Sequence, residues 1–369
     1  MMSLGRRKTV AATAGVAISC SLTLAACGGG ARGADEAKLP SSVQLIVPFA
    51  AGGGTDTFAR VLAPALKDAV DSHPSIQVVN REGGESITGT NQFVKQNPND
   101  GSQLLVASAT TTYQWLLDVP QVKYDFNKLK PLIIAGTGGV IYASKDSGIT
   151  SVEDLKNPPK HLSYGGISAT GLDLSTLLAF NMLKLHPKVT FGFEGRGPAR
   201  LALQRGETNI DYQTTSAYLT EVKPMVDKGT AVPLMSFGVL DKKGNVVRDP
   251  NFKSLPTVPE VYEKLYGQQP SGDAYKAYVA FLAAGFAFEK SVWATPQTPK
   301  GVRQTVIEAV PALKKDQKFD QQRKDSLGDY PLYSGPDVKT SLNKAFHISD
   351  SVKKYVFDML KSEYHTSVQ

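Results

Sequence analysis

The sequence predicts an α/β chain folded into two lobes with a cleft between them. Three observations carry that reading. Short apolar runs alternate with helical patterns along the body of the chain, as expected of α/β layers with largely parallel sheets. A central block, residues 139–236, has its own strand–helix alternation and lies between two pieces of another unit. Two of the expected strands run into loops of glycine and small residues followed by a helix start. Such a loop presents unpaired N–H groups at the positive end of a helix dipole, a seat for an anion.

The first residues read as an export signal. Arg6, Arg7 and Lys8 precede an apolar run from Val10 to Ala26 that closes on Leu24-Ala25-Ala26-Cys27. The run is short for a membrane span. Leu-Ala-Ala-Cys resembles a bacterial lipobox, which implies that Cys27 is lipidated and becomes the N-terminus. Residues 1–26 are then a lipoprotein signal and 27–39 a glycine-rich, charged tether. The only other cysteine, Cys20, leaves with the signal, so the body is expected to have no disulfide, thiolate nucleophile or cysteine metal site. Formal charge is +7, and removing the three basic residues of the signal leaves +4. That mild excess suits an anionic ligand and forms no basic block of the kind that binds nucleic acid. About 330 residues remain, enough for two domains.

In chain order, Val43–Val47 is a buried strand, β-branched and apolar, ended by Pro48. Ala50 to Gly54 is a loop able to take positive φ and to let another molecule approach its backbone. Thr55 or Asp56 caps the helix Asp56–Val70, whose Phe58, Val61, Leu62 and Ala65 share a face; Pro64 inside it is expected to kink or break it. Strands Ile76–Asn80, Leu104–Ala107 and Leu132–Ala135 follow, with a helix Thr88–Gln96 and a sharp turn at Asn97-Pro98-Asn99-Asp100-Gly101. In the central block, strands Val140–Ala143, His161–Tyr164, Val189–Phe193, Ile210–Gln213 and Val232–Phe237 alternate with helices. Those helices are Val152–Lys156, Asp173–Leu185, Pro198–Arg205 and Ser216–Lys228. The C-terminal piece is helical: Val302–Lys314, Lys318–Leu327 and an interrupted Val338–Lys361. Lobe 1 is thus read as 40–138 plus 237–369, and lobe 2 as 139–236.

The second anion-seat candidate is Ser163 to Asp173, where Gly165, Gly166, Ser168, Thr170 and Gly171 lead into the next helix. The hydroxyls of Ser168 and Thr170 add donors that rotate to suit a carboxylate. Two such loops, one per lobe, can grip one anion across a cleft. Arg196 is either a bidentate partner for a second carboxylate or a solvated arginine. Asp211 either receives a ligand amine or hydroxyl or caps a turn. Asp56 is expected to cap its helix. Ser108 opens a Ser-Ala-Thr-Thr-Thr run before Tyr113 and Trp115, which either wall the cleft or join the core.

Enzyme signatures are missing. No Gly-x-Ser-x-Gly elbow occurs, and Gly52-Gly53-Gly54-Thr55 lacks the Gly-Lys-Ser/Thr end of a P-loop. The five histidines have no i, i+3 or i, i+4 partner among themselves, so no metal or triad pattern arises.

The motifs resemble a known family. Val47-Pro48-Phe49-Ala50-Ala51-Gly52-Gly53-Gly54-Thr55-Asp56 with Ala59-Arg60 is similar to the signature of the Bug (TctC-like) solute receptors of tripartite tricarboxylate transporters. Asn80-Arg81-Glu82-Gly83-Gly84 resembles their Asn-x-x-Gly-Ala-x-Gly loop, and Asn97 to Gly101 their turn before the third strand. Phe193-Glu194-Gly195-Arg196-Gly197-Pro198-Ala199 resembles the aromatic-x-Gly-x-x-Pro-Ala segment. Gly206-Glu207 with Ile210-Asp211, and Leu255-Pro256-Thr257-Val258-Pro259-Glu260, resemble the last two elements. The resemblance spans nearly all of residues 40 to 345.

It implies a type II-like periplasmic-binding-protein fold and an extracytoplasmic receptor, not an enzyme. Such a receptor closes on a small carboxylate and delivers it to a membrane permease. It implies ligand contacts from Phe49, Ala50, Ala51, Gly52, Gly53, Gly54, Thr55 and Asp56, and from Gly166 through Asp173. No metal or cofactor is expected, and the chain is read as a monomer held at the cell membrane by its lipid. The chain departs from the pattern at Ser168-Ala169-Thr170-Gly171 and at Phe193-Glu194, so the distal end of the ligand is read differently. A carboxylate sensor for a signalling partner is the alternative, with an exported lipoprotein enzyme behind it.

Overall fold

The computed structural model describes residues 38–368. The signal, Cys27 and most of the tether lie outside the described residues. Leu39, at the end of the expected tether, is buried in the first core.

The larger sheet has six strands in the spatial order Leu332–Tyr333, Lys130–Ala135, Lys290–Ala294, Gln103–Ala107, Ser42–Val47 and Ser75–Asn80. The last three are parallel. Lys290–Ala294 runs antiparallel between Gln103–Ala107 and Lys130–Ala135. The smaller sheet is antiparallel throughout, with Gly139–Ser144 between Ile210–Thr214 and Ala231–Ser236. A short parallel pair, Ser163–Gly165 with Lys188–Thr190, stands beside it. The expectation of largely parallel sheets therefore holds for only part of the fold. Lys290–Ala294 was not foreseen, because a five-residue strand opening Lys-Ser offers little apolar signal.

The chain passes from one sheet to the other between Lys130–Ala135 and Gly139–Ser144, giving a two-lobed α/β fold. The first core lies on the larger sheet, where Val43, Leu45 and Val47 meet Phe58, Leu62 and Leu66 of the helix Gly54–Ala69. That helix runs unbroken through Pro64. Pro64 is exposed, as is Arg60, the residue whose carbonyl loses its N–H partner. The second core joins Ile141 and Tyr212 of the smaller sheet to the helix Asp173–Met182. It also takes in Tyr278 and Phe281 of the helix Gly272–Ala284 and Val356 of the helix Asp350–Tyr364, so it reaches well past residue 236. Tyr113 belongs to this core and Trp115 packs on Phe126 and Phe346, so neither walls the cleft.

The parallel strands set up the site. The segments that follow their C-terminal ends are Phe49–Asp56, Arg81–Ser86 and Ser108–Thr110, three loops at one edge of the sheet. That edge is where open α/β sheets bind ligands.

Candidate functional site

The first glycine-rich loop joins the strand Ser42–Val47 to the helix Gly54–Ala69, and Ala50 to Gly53 are exposed. Gly52 has φ +83°, a conformation that favours glycine. Gly53 occupies the N-cap and offers no side-chain cap, so neither Thr55 nor Asp56 takes the role expected of them. Both sit buried in the first turn, where the N–H groups of Gly54, Thr55 and Asp56 have no intrahelical acceptor. Asp56 instead reaches back beneath the loop. Its carboxylate accepts from Gly52 N (2.8 Å), Arg60 Nε (2.8 Å) and Asn80 Nδ2 (2.9 Å). Asn80 also donates to the Phe49 carbonyl at 3.0 Å. The register that pairs Val47 with Asn80 puts Asn80 directly below Phe49, which itself packs on the first core. Burial pushes the Asp56 carboxyl up, but the bonds from Arg60, Gly52 and Asn80 outweigh it and hold it below its ordinary value.

The second loop follows the strand Ser163–Gly165. Its glycines answer to packing: a Cβ on Gly165 would lie 2.8 Å from the Phe193 ring, and one on Gly166 2.8 Å from Phe191. Asp173 begins the next helix and accepts from Ile167 N (2.7 Å) and Ser168 N (3.2 Å). Its other oxygen accepts from the Tyr164 hydroxyl and, at 2.9 Å, from Arg196 Nη1. Thr170 is half-buried in the same loop.

Arg196 is the node behind that loop. Nη1 also donates to the Gly165 carbonyl at 2.9 Å, while Nη2 donates to Asp211 and, at 3.2 Å, to the Tyr212 carbonyl. The guanidinium lies 4.4 Å from the Tyr212 ring centre and 5.3 Å from that of Tyr164. Asp211 accepts from Tyr142 Oη at 2.5 Å as well. The side chains of Arg196, Asp173 and Asp211 are 14, 1 and 1% exposed. Both Nη groups are thus engaged within the protein, and the expected free guanidinium gives way to a buried ion-pair network. Asp211 is likewise held inside rather than offered to a ligand. Two buried carboxylates thus face one guanidinium.

Residues not foreseen from the sequence close the site. Glu85 Oε2 accepts from Ser168 Oγ at 2.5 Å, and Thr110 Oγ1 accepts from Leu172 N at 3.2 Å, so two residues beside the larger sheet hold the second loop. On the other side, a Cβ built on Gly54 would sit 3.3 Å from Lys290 Nζ and 3.7 Å from Ser216 Oγ. Lys290 is 5% exposed and paired with Glu289. Ser108, which the sequence had offered as a site residue, is buried at the N-cap of the helix Ala109–Leu116. Of these, Glu85 had a local signal, a carboxylate directly after Gly83-Gly84; Lys290 and Ser216 had none. Among the described residues no group of His, Cys, Asp or Glu could hold a metal, and no helix is long and apolar enough to cross a membrane.

No family model matches the chain. It is similar to protein BugT of Bordetella pertussis, 24% identical over 272 residues, 72% of either chain. Its fold matches the periplasmic binding protein BugD (TM-score 0.61, 20% identity) over 83% of this chain and 95% of that one. It also matches an R. palustris protein solved with adipate (TM-score 0.66, 22% identity) over 85% and 97% respectively. The resemblance read from the motifs is borne out: in sequence and in fold the chain is similar to the Bug and TctC-like substrate-binding proteins of tripartite tricarboxylate transporters.

Proposed function

We propose that the chain is an extracytoplasmic receptor that captures a small carboxylate and hands it to a membrane permease. The observation that carries this is the loop Ala50–Gly54. It is exposed, it ends in the open first turn of a helix, and Asp56 fixes it from below through Gly52. Backbone N–H groups in that setting bind a carboxylate without a basic side chain. The loops sit at different lobes, so a ligand held by both favours the closed arrangement, and hinge closure follows from that difference in contacts. No bond is made or broken.

In this reading residues 40–138 with 237–369 form one lobe and 139–236 the other, with the helices Gly272–Ala284 and Asp350–Tyr364 packed on the core of the second. The ligand meets Phe49 to Asp56 through the backbone and Ser168 and Thr170 at the rim, while Ser108 and Gly166 are buried. Asp173, Arg196 and Asp211 stiffen the second loop. Cys27 carries a lipid that holds the receptor at the membrane. The adipate in one structural neighbour is a carboxylate of the expected size.

A thermal-shift panel of mono-, di-, tri- and aromatic carboxylates tests this, on protein unfolded and refolded to strip carried-over ligand. A ligand at about 100 times its Kd stabilises by about 2.7 kcal/mol, a rise of several degrees. A shift confined to one chemical class supports the receptor. Silence across the panel from folded protein overturns it.

A further inference from the structure

Residues 83–86 keep their backbone on the left-handed side, with φ of +130, +52, +52 and +87° at Gly83, Gly84, Glu85 and Ser86. Two of the four are not glycine, and such residues hold this conformation only where their surroundings enforce it. Ser86 supplies the anchor. It is fully buried, and its hydroxyl donates to Gln114 Oε1 at 3.3 Å, which also accepts from Tyr124 Oη at 3.3 Å.

The effect of the strained run is to aim Glu85 across the cleft. Its Oε2 accepts a hydrogen bond from the Ser168 hydroxyl at 2.5 Å. A Cβ on Gly171 would come within 2.9 Å of the same oxygen and 3.1 Å of Thr110 Cγ2. The Ser168 hydroxyl and the Gly171 face of the second loop are therefore covered by a carboxylate that the protein itself supplies. Glu85 forms no ion pair among the described residues, and Arg196, the nearby guanidinium, is taken up by Asp173 and Asp211.

We infer that Glu85 is a specificity-determining residue that restricts the receptor to monocarboxylates, by standing at the second loop where a ligand's second carboxylate would bind. This rests on the receptor reading above. A dicarboxylate spanning both loops has to displace Glu85 from Ser168 and then lie beside it, two like charges at one half-buried point. A monocarboxylate seats its one charge on the first loop and brings a neutral end to the second.

The test is calorimetric titration of the ligand-stripped chain with matched pairs: butyrate and succinate, hexanoate and adipate, benzoate and terephthalate. Wild type is compared with Glu85→Gln, which keeps the shape, and with Glu85→Gly, which also frees the left-handed backbone. The expected result is a wild-type Kd at least tenfold lower for the monocarboxylate of the best-binding pair. Both variants should shrink that ratio at least tenfold, chiefly by tightening the dicarboxylate. A wild type that prefers the dicarboxylate, or a ratio that neither variant moves, overturns the inference and leaves the receptor standing. Loss of all binding in both variants makes Glu85 a structural latch and overturns it too. If no carboxylate of any kind binds folded wild type, the receptor reading falls and the inference with it.

Discussion

Asp56 and Asp173 stand in the same relation to the two glycine-rich loops. Each is a buried carboxylate in the first turn of the helix that follows its loop. Each accepts backbone N–H groups from the loop, Gly52 for Asp56 and Ile167 and Ser168 for Asp173. Each is neutralised by an arginine, Arg60 or Arg196. A loop of small residues has little side-chain packing to hold it, so its shape comes from these carboxylates. If the proposed receptor binds through the donors left over, their prior ordering lowers the entropy cost of binding.

The two arginines differ in setting, and so should their mutants. The Arg60 side chain is 53% exposed, whereas that of Arg196 is 14% exposed and faces two carboxylates at 1%. Removing Arg196 strands two buried charges, so Arg196→Ala is expected to destabilise by about 3–5 kcal/mol in urea denaturation. Arg60→Ala should leave the urea midpoint close to wild type, since water replaces the lost partner. Equal midpoints for the two variants would show that the buried network contributes no more than the exposed pair.

Much of this was legible locally and some was not. Val43 to Asp56 announced itself because strand, small-residue loop and helix follow one another within a few residues. The helix Gly272–Ala284 did not, since it is covered by the helices Asp173–Met182 and Asp350–Tyr364 and shows no clean polar face. The interruption expected in the tail helix falls between Pro336–Ala345 and Asp350–Tyr364. At the site, the glycines and aspartates could be named in advance, but not their partners. Arg196 meets Asp173 from 23 residues away and Glu85 meets Ser168 from 83, and no local period reports such pairings.

Gly53 tests the proposed anion seat separately from folding. Its backbone is ordinary extended chain at φ −77° and ψ 167°, and a Cβ there meets only the Ala50 carbonyl at 3.7 Å. Gly53→Val should therefore keep its melting temperature while losing carboxylate affinity by about tenfold or more, roughly 1.4 kcal/mol, as its branches fill the space before the helix N–H groups. Full affinity in that variant would take the first loop out of the site.

Glu85 carries a pH signature. Burial, with the charge of Asp173 behind it, lifts its carboxyl above the ordinary 4.5 against the opposing bond from Ser168. The charged groups it faces are Asp173 and, through it, Arg196. A raised folded value means that protonation favours the folded state. The gain is full below pH 4.5 and is lost as pH rises through the shifted value. Melting curves of wild type should therefore gain on those of Glu85→Gln as pH is lowered from 7 toward 4.5. A constant gap between them would place the Glu85 carboxyl at its unfolded value.

Gly138 lies where the chain crosses from the larger sheet to the smaller, and a Cβ there would overlap Asp249 Oδ2 and the Tyr330 hydroxyl. Those two atoms bond each other at 2.6 Å, and the same hydroxyl bonds Thr215 Oγ1 at 2.6 Å. Asp249 is fully buried and is further satisfied by Asn251 N at 2.8 Å. Gly138 also accepts from Thr215 N at 3.0 Å, so the crossing strand, the turn after Ile210–Thr214 and the C-terminal segment meet at one point. Gly138→Ala is expected to destabilise by about 1–3 kcal/mol through overpacking. Tyr330→Phe removes one of the two obstructing atoms at the cost of its hydrogen bonds. If the overlap is the cause, the double variant should be more stable than the sum of the two single losses, by about 0.5 kcal/mol or more. Strict additivity in the four melting curves would mean that the alanine is resisted by something other than the Asp249–Tyr330 pair.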